Sequence, residues 1–155
     1  MAFGDEHNYK NFPELTNGQI EEFGFQSPHE QITSDFEAVV VRVHDGDTVT
    51  LRVDFRDFDF PLRLASVDAP ELSTGSPGQE ARDFLAGLIE GEEVLVKIDR
   101  FNRVEKYGRL LGEVVLRGLN VGETMVFLGF ASPFGLRREG SLPDLNKDLR
   151  LNQWF

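Results

Sequence analysis

The stretch VHDGDTVTLRVDFRDFDFPLRLASVDAPE, Val43 to Glu71, decides how this chain folds. Asp45-Gly46 stands between two alternating apolar runs, a strong hairpin signal. On the outgoing run Asp47 shares the parity of Val49, Leu51 and Val53, which places it at the mouth of the core those residues fill. A second alternation, Phe58, Phe60, Leu62 and Leu64, leads toward Pro70, which lacks a ladder donor and ends the strand. Asp68 and Glu71 sit at that exit. Arg63 points away from the face of Leu62 and Leu64. Parity puts Arg63 and Asp68 on opposite faces of a regular strand, so they meet only if the chain bends or bulges near Ser66.

Two aspartates converging on one end of a sheet suit a hard divalent cation, which takes anionic oxygen ligands. A further carboxylate just outside that shell is placed to act as a base, and a guanidinium beside both suits a phosphate on which negative charge develops. This is the chemistry of phosphodiester cleavage. Either motif alone has a plainer reading: Asp-Gly-Asp-Thr is most often a turn with a capping aspartate, and Asp-Ala-Pro-Glu a loop. What changes the weighing is a further piece downstream, Lys106-Tyr107-Gly108-Arg109-Leu110, at the start of another strand.

Taken in order, Asp-Gly-Asp-Thr-Val, Arg-Leu-x-x-Val-Asp-x-Pro-Glu and Lys-Tyr-Gly-Arg resemble the staphylococcal (micrococcal) nuclease family, the thermonucleases, over roughly Phe36 to Pro133. The resemblance implies a calcium-dependent nuclease acting on DNA, RNA or both and leaving 3′-phosphates. It implies metal ligands at Asp47 and Asp68, with a main-chain carbonyl at Ala69, where the family has threonine. It implies a general base at Glu71 and phosphate-clamping arginines at Arg63 and Arg109. After Gly129 the chain departs from the family: Gly135 and Arg137 stand where the type member has two tyrosines lining the nucleotide pocket, and Phe134 is the nearest aromatic substitute.

The rest of the chain reads as one barrel with appendages. Strands are expected from Phe36, over Thr48–Asp54, Phe58–Ala65, Glu93–Asp99 and Arg109–Leu116. A helix is expected from an N-cap at Ser76, with Pro77 in its first turn, to about Glu90, and a second over Asn120–Leu128 with Val121, Met125 and Leu128 inward. Five short strands with a helix after the third predict a five-stranded OB-type barrel, α+β and mainly β, with two to three helices and an N-terminal extension. Residues 36–134 form the nuclease-like domain, 1–35 a docking arm and 135–155 a C-terminal extension. In that extension Ser141 and Pro143 open a short helix toward Leu149, and Trp154-Phe155 reads as an anchor.

At 155 residues the chain suits one domain with a sizeable core. Cysteine is absent, which removes disulfides and thiolate metal sites. No signal peptide or membrane-length apolar run is visible, so the expectation is a protein kept in the cell that makes it, or carried in a phage or viral particle assembled there. The net charge of −11 is unfavourable for meeting a polyanion. Residues 1–35 hold seven acids against one base, so over half the excess lies outside the nuclease-like body. That arm also carries Phe3, Tyr9, Phe12, Phe23 and Phe25, too many aromatics for a solvated tail. Thr16-Asn17-Gly18-Gln19 fits a capping box opening a short helix that Gly24 closes. The arm docks across its own barrel or on a protein partner, and its removal up to residue 34 is expected to leave a folded barrel. Arg100, Asn102, Arg103 and Lys106 form a basic loop read as a contact surface for flanking phosphates. The rival readings are a noncatalytic nucleic-acid-binding domain and a structural or recruitment component of a larger assembly.

Overall fold

The computed structural model describes residues 7–134. Its elements are α1 (Asn17–Phe23), β1 (Phe36–Asp45), β2 (Thr48–Arg52), β3 (Phe60–Leu64), β4 (Val67–Asp68), α2 (Ser76–Ile89), β5 (Glu93–Lys97), β6 (Leu110–Leu116), β7 (Leu119–Asn120), α3 (Val121–Phe127) and β8 (Ser132–Pro133). The sheet runs β3-β2-β1-β5-β6-β7, and β3 also pairs with β6, so β1, β2, β3, β5 and β6 close into a barrel. The closing pair is parallel, Leu62 opposite Leu110 and Leu64 opposite Gly112; the other pairings within the barrel are antiparallel. This is the OB-type barrel with three helices that the alternation predicts.

One strand serves two neighbours because it bends. β1 pairs with β5 over Phe36–Val39 and with β2 over Val39–Asp45, and its register to β2 slips between Val40 and Arg42. The extra residue is a β-bulge, which kinks the strand and shifts its inward phase from Ala38 and Val40 to Val43. The hairpin at Gly46-Asp47 forms as read, with Asp45 opposite Thr48. Strands two and three are shorter than their apolar runs, because Val53 to Asp59 form the connection between them. α2 buries Ala81, Leu85 and Ile89 against the barrel. Its cap is Gly75 rather than Ser76, which becomes the first helical residue. Leu128, expected inward, is half exposed: it caps α3 one turn after Met125, where the helix has already left the core.

Residues 7–35 lie against the barrel of their own chain. α1 begins with the expected capping box, Thr16 accepting from the Gln19 N–H and Gln19 accepting from the Thr16 N–H. The arm is held mainly by charge buried under it. Glu14, Arg56 and Arg103 are all nearly inaccessible, with Glu14 paired to both guanidinium groups. Arg56 also donates to the Glu30 carbonyl at 2.8 Å and lies over the rings of Phe60 and Phe58, at 4.7 and 5.2 Å from their centroids. Its Nε and Nη1 have no hydrogen-bond partner among the described residues, and the ring faces are what offsets their desolvation. Leu15 and Ile32 are buried beside this cluster. Removing residues 1–34 would take away Glu14, Leu15 and Ile32 and uncover both arginines, a loss of stability that the sequence does not announce.

Glu14→Ala strands two buried guanidinium groups without an anion, and the expected loss of folding stability is about 3–5 kcal/mol. Urea unfolding measures it, and a loss under about 1 kcal/mol would mean that the two guanidinium groups are solvated well enough not to depend on Glu14.

Candidate active site

Asp47 is set by the hairpin that carries it. Its N–H donates to Asp45 Oδ1 at 3.0 Å, a side-chain turn that fixes the loop, and its own carbonyl accepts the Leu64 N–H at 2.8 Å. The carboxylate is nearly buried. Oδ2 accepts the Ala69 N–H at 2.9 Å, Oδ1 accepts the Thr48 hydroxyl at 3.2 Å, and Arg63 Nη2 lies 3.4 Å from Oδ2. The β1–β2 turn is thereby fastened to the exit of β3.

The bend required near Ser66 is present. Ser66 adopts φ +69, the left-handed region, and β3 ends at Leu64 while β4 starts at Val67. Arg63 wraps this bend: Nη1 donates to the carbonyls of Leu64 and Val67 at 2.6 and 2.8 Å, leaving Nη2 between Asp47 and Asp68, 3.5 Å from Asp68 Oδ1. The first pair of bonds is short. The two carboxylate contacts are longer than the roughly 2.7–2.9 Å of a charge-assisted hydrogen bond, so they are the exchangeable ones. β4 is steadied by β8, with Asp68 opposite Ser132, and the Phe134 N–H donates to the Ser66 carbonyl at 2.9 Å. The Phe134 ring lies 5.7 Å from the Arg63 guanidinium carbon.

Glu71 follows at the rim. Its side chain is exposed, Ser73 donates to it at 3.4 Å, and its carbonyl accepts from the Thr74 N–H and hydroxyl. The first turn of α2 presses on this segment at Gly78, where any Cβ would collide with the Glu71 carbonyl. On the opposite side Arg109 opens β6. Glu105 holds it by two hydrogen bonds, Nε to Oε1 at 3.2 Å and Nη2 to Oε2 at 3.1 Å, while Nη1 reaches the Thr48 hydroxyl at 3.1 Å. Thr48 thus links Asp47 to Arg109.

Asp47, Arg63, Asp68, Ala69, Glu71, Arg109 and Phe134 all line one cleft of about 850 Å³. The sequence missed Glu105 and Thr48. Their signals were adjacency only, Glu105 four residues before one motif arginine and Thr48 next to one motif aspartate. The cleft holds seven acidic residues, Asp45, Asp47, Asp68, Glu71, Asp99, Glu105 and Glu113, against four basic ones, Arg63, Lys97, Lys106 and Arg109. Burial pushes Asp47 up to about 6, more than Arg63 and the Ala69 N–H pull it down. Burial also works to raise Glu105, but the hydrogen bonds from Arg109 prevail and hold it below its usual range. Among the described residues no three His, Cys, Asp or Glu side chains are grouped closely enough to enclose a metal ion by themselves.

Arg103 does not belong to the basic contact surface. It is turned inward to Glu14 and to the carbonyls of Ile32 and Leu15, at 2.6 and 2.7 Å, because the arm offers it acceptors that the loop's own sequence does not reveal. Arg100 and Phe101 are exposed at that loop. Gly135, Arg137 and the rest of the C-terminal extension, including Ser141, Pro143, Leu149, Trp154 and Phe155, lie outside the described residues.

The family model for staphylococcal nuclease homologues matches residues 61–149. A micrococcal nuclease of Shigella flexneri is 42% identical over 81 residues, 52% of this chain and 43% of its own. The protein ParB of Escherichia coli is 33% identical over 123 residues, 74% of this chain and 64% of its own. Endonuclease YhcR of Bacillus subtilis is 32% identical over 113 residues, 64% of this chain but 9% of its own. The chain thus spans less than two thirds of each of these relatives. With more than half of its residues inside the matching model, and that model's fold in its barrel, the chain belongs to the family of staphylococcal nuclease homologues.

Proposed function

We propose that this domain is a calcium-dependent nuclease that hydrolyses phosphodiester bonds of DNA, RNA or both and leaves 3′-phosphates. The observation that supports it most is the placement of Arg63 Nη2 between Asp47 and Asp68, with Arg109 and Glu71 on the same cleft. The donor set fits a hard cation. The described residues that line the cleft offer carboxylates and main-chain oxygen but no thiolate or imidazole, the donor chemistry that a hard cation takes. Asp47 and Asp68 would hold the ion, with the Ala69 carbonyl. A calcium ion held there would supply Lewis-acid polarisation of the scissile phosphate. The excess of acids in the cleft gives the ion a second purpose, since a polyanion meets net repulsion there without it.

The protein's own groups divide the remaining work. Glu71, exposed at the rim, takes the proton of the attacking water. Arg63 exchanges its long carboxylate contacts for phosphate oxygens while its two carbonyl bonds keep the guanidinium in place. Arg109, oriented by Glu105 and Thr48, stabilises charge on the same phosphate as the 5′-oxygen leaves.

Single-turnover cleavage of labelled DNA and RNA, run beside equilibrium binding, tests this. Glu71→Gln is expected to slow cleavage of bound substrate by about 10²- to 10⁴-fold and Arg109→Lys by about 10²- to 10³-fold, each with affinity nearly kept. Excess chelator is expected to stop cleavage and weaken binding. Undiminished cleavage in chelator would overturn the calcium assignment, and variants that lose affinity yet cut bound substrate at the parent rate would make Glu71 and Arg109 binding groups only. A parent protein that binds without cutting would leave a nucleic-acid-binding domain in place of an enzyme.

The site should also cost stability. Asp47 has an ordinary value of 3.8 and stands at about 6 when folded. A raised carboxyl favours the folded state fully below the unfolded value, and that contribution is lost as pH rises through the folded one. At neutral pH the charged Asp47 therefore works against folding. In chelator at pH 7.5, Asp47→Asn is expected to gain on the order of 1–3 kcal/mol in urea unfolding, with the gain vanishing below about pH 4. A variant less stable at both pH values would show that the Arg63 contact outweighs burial.

A further inference from the structure

The loop between β5 and β6 carries Glu105, Tyr107 and Arg109, and the arm grips it at several points. Asp35 Oδ1 accepts the Ile98 N–H at 2.8 Å, and Asn17 Nδ2 donates to the Arg100 carbonyl at 2.9 Å. Arg103 donates Nε to the Ile32 carbonyl and Nη1 to the Leu15 carbonyl and, at 3.2 Å, to Asn17 Oδ1, with Nη2 3.5 Å from Glu14 Oε1. Arg103 also accepts the Leu111 N–H on its own carbonyl at 2.7 Å, so the residue anchored in the arm is bonded to the strand that Arg109 opens.

The last grip is the closest to the chemistry. Gly108 has φ +87, and a Cβ there would stand 2.5 Å from Phe12 Cδ1, so the Phe12 ring lies directly on the glycine next to Arg109. The turn it covers is small and internally bonded: Gly108 N–H to the Glu105 carbonyl at 2.8 Å, Glu105 N–H to the Arg109 carbonyl at 2.9 Å, and Arg109 N–H to Glu105 Oε1 at 2.9 Å. If the turn shifts, Glu105 and Arg109 shift together. Tyr107, between them, is exposed, with Lys106 Nζ and the Arg109 guanidinium carbon 5.1 and 5.8 Å from its ring centroid, so its side chain does not anchor the turn in the core.

We propose that Phe12, Glu14 and Arg103 are positioning residues for Arg109, so that the N-terminal arm, whose described residues line no part of the cleft, sets the geometry of one arginine of that cleft. The proposal rests on the reading of Arg109 as a group that meets the reacting phosphate. The buried pair Glu14–Arg103 fixes the base of the loop and Phe12 fixes its tip. A misplacement of about 1 Å at a charged group is enough to slow chemistry strongly without changing the fold.

The experiment uses the full chain and crosses Phe12→Ala and Phe12→Leu with Arg109→Lys. Phe12 is the lever because it is partly exposed and its loss leaves the buried charges paired. Single-turnover cleavage in calcium, equilibrium binding, and amide hydrogen exchange are measured for each. Phe12→Ala is expected to slow cleavage of bound substrate about 10- to 100-fold with affinity changed less than about twofold, and Phe12→Leu to restore most of the rate. In the Arg109→Lys background Phe12→Ala is expected to add almost nothing, as coupled residues do. Exchange at Gly108 and Arg109 should quicken while β1 and β2 keep their protection. Equal slowing in both backgrounds, or an unchanged rate, would overturn the proposal and leave the arm a stabilising element. A rate untouched by Arg109→Lys alone would overturn the catalytic reading of Arg109 and this proposal with it. A slow Arg109→Lys beside a fast Phe12→Ala would overturn only the proposal.

Discussion

The site depends on the turn at Ser66. A strand continuing past Leu64 would carry Asp68 away from Arg63, and the left-handed residue reverses that course. A non-glycine at positive φ is disfavoured and persists only where its surroundings hold it. Here Arg63 bonds the carbonyls of Leu64 and Val67 on either side of the turn, the Ala65 N–H bonds the Gly112 carbonyl, and the Phe134 N–H bonds Ser66 itself. The same guanidinium that would meet a phosphate is therefore a structural brace. Its two functions use different nitrogens, Nη1 for the turn and Nη2 for the carboxylates.

This economy has an electrostatic consequence. Asp47 is buried and its ion-pair partner, Arg63, is already committed to two carbonyls and shared with Asp68. Burial dominates the balance, and Asp47 is held as a high-energy anion at neutral pH. Across the cleft, Arg109 is the reverse case, held at each guanidinium nitrogen by Glu105 or Thr48 and so fixed in direction. One arginine is braced by its own backbone, the other by a side-chain partner, and only the second is within reach of the arm.

The arm changes how the net charge should be understood. Its acids are not simply a repulsive fringe, since Glu14 is spent in neutralising Arg56 and Arg103 beneath it. That withdraws a base from the exposed surface of the loop, leaving Arg100 and Lys106 there. A buried triad of this kind is weak evidence for stability in itself but strong evidence for geometry, because each member is costly to move.

What the sequence determined by itself is the barrel and the motif residues. Alternation over Val49–Val53 and Phe60–Leu64, the Asp-Gly turn and the apolar stripe of α2 are local patterns that backbone geometry converts directly into strands, a hairpin and a helix. Linear order also placed Asp47, Arg63, Asp68, Glu71 and Arg109 at element ends, and parity demanded the bend at Ser66. Tertiary structure alone decided which partners the cations took. Arg103 reads as a surface base in its loop, and only the arrival of Ile32, Leu15 and Glu14, some 70 to 90 residues earlier in the chain, turns it inward. Glu105, four residues before Arg109, meets it through a local turn, but Thr48 becomes its second holder only once the β3–β6 pairing closes the barrel and brings the start of β2 to the same cleft. Such pairings depend on distances between segments far apart in the chain, which no local period encodes, and they were settled by the closure of the barrel and the docking of the arm upon it.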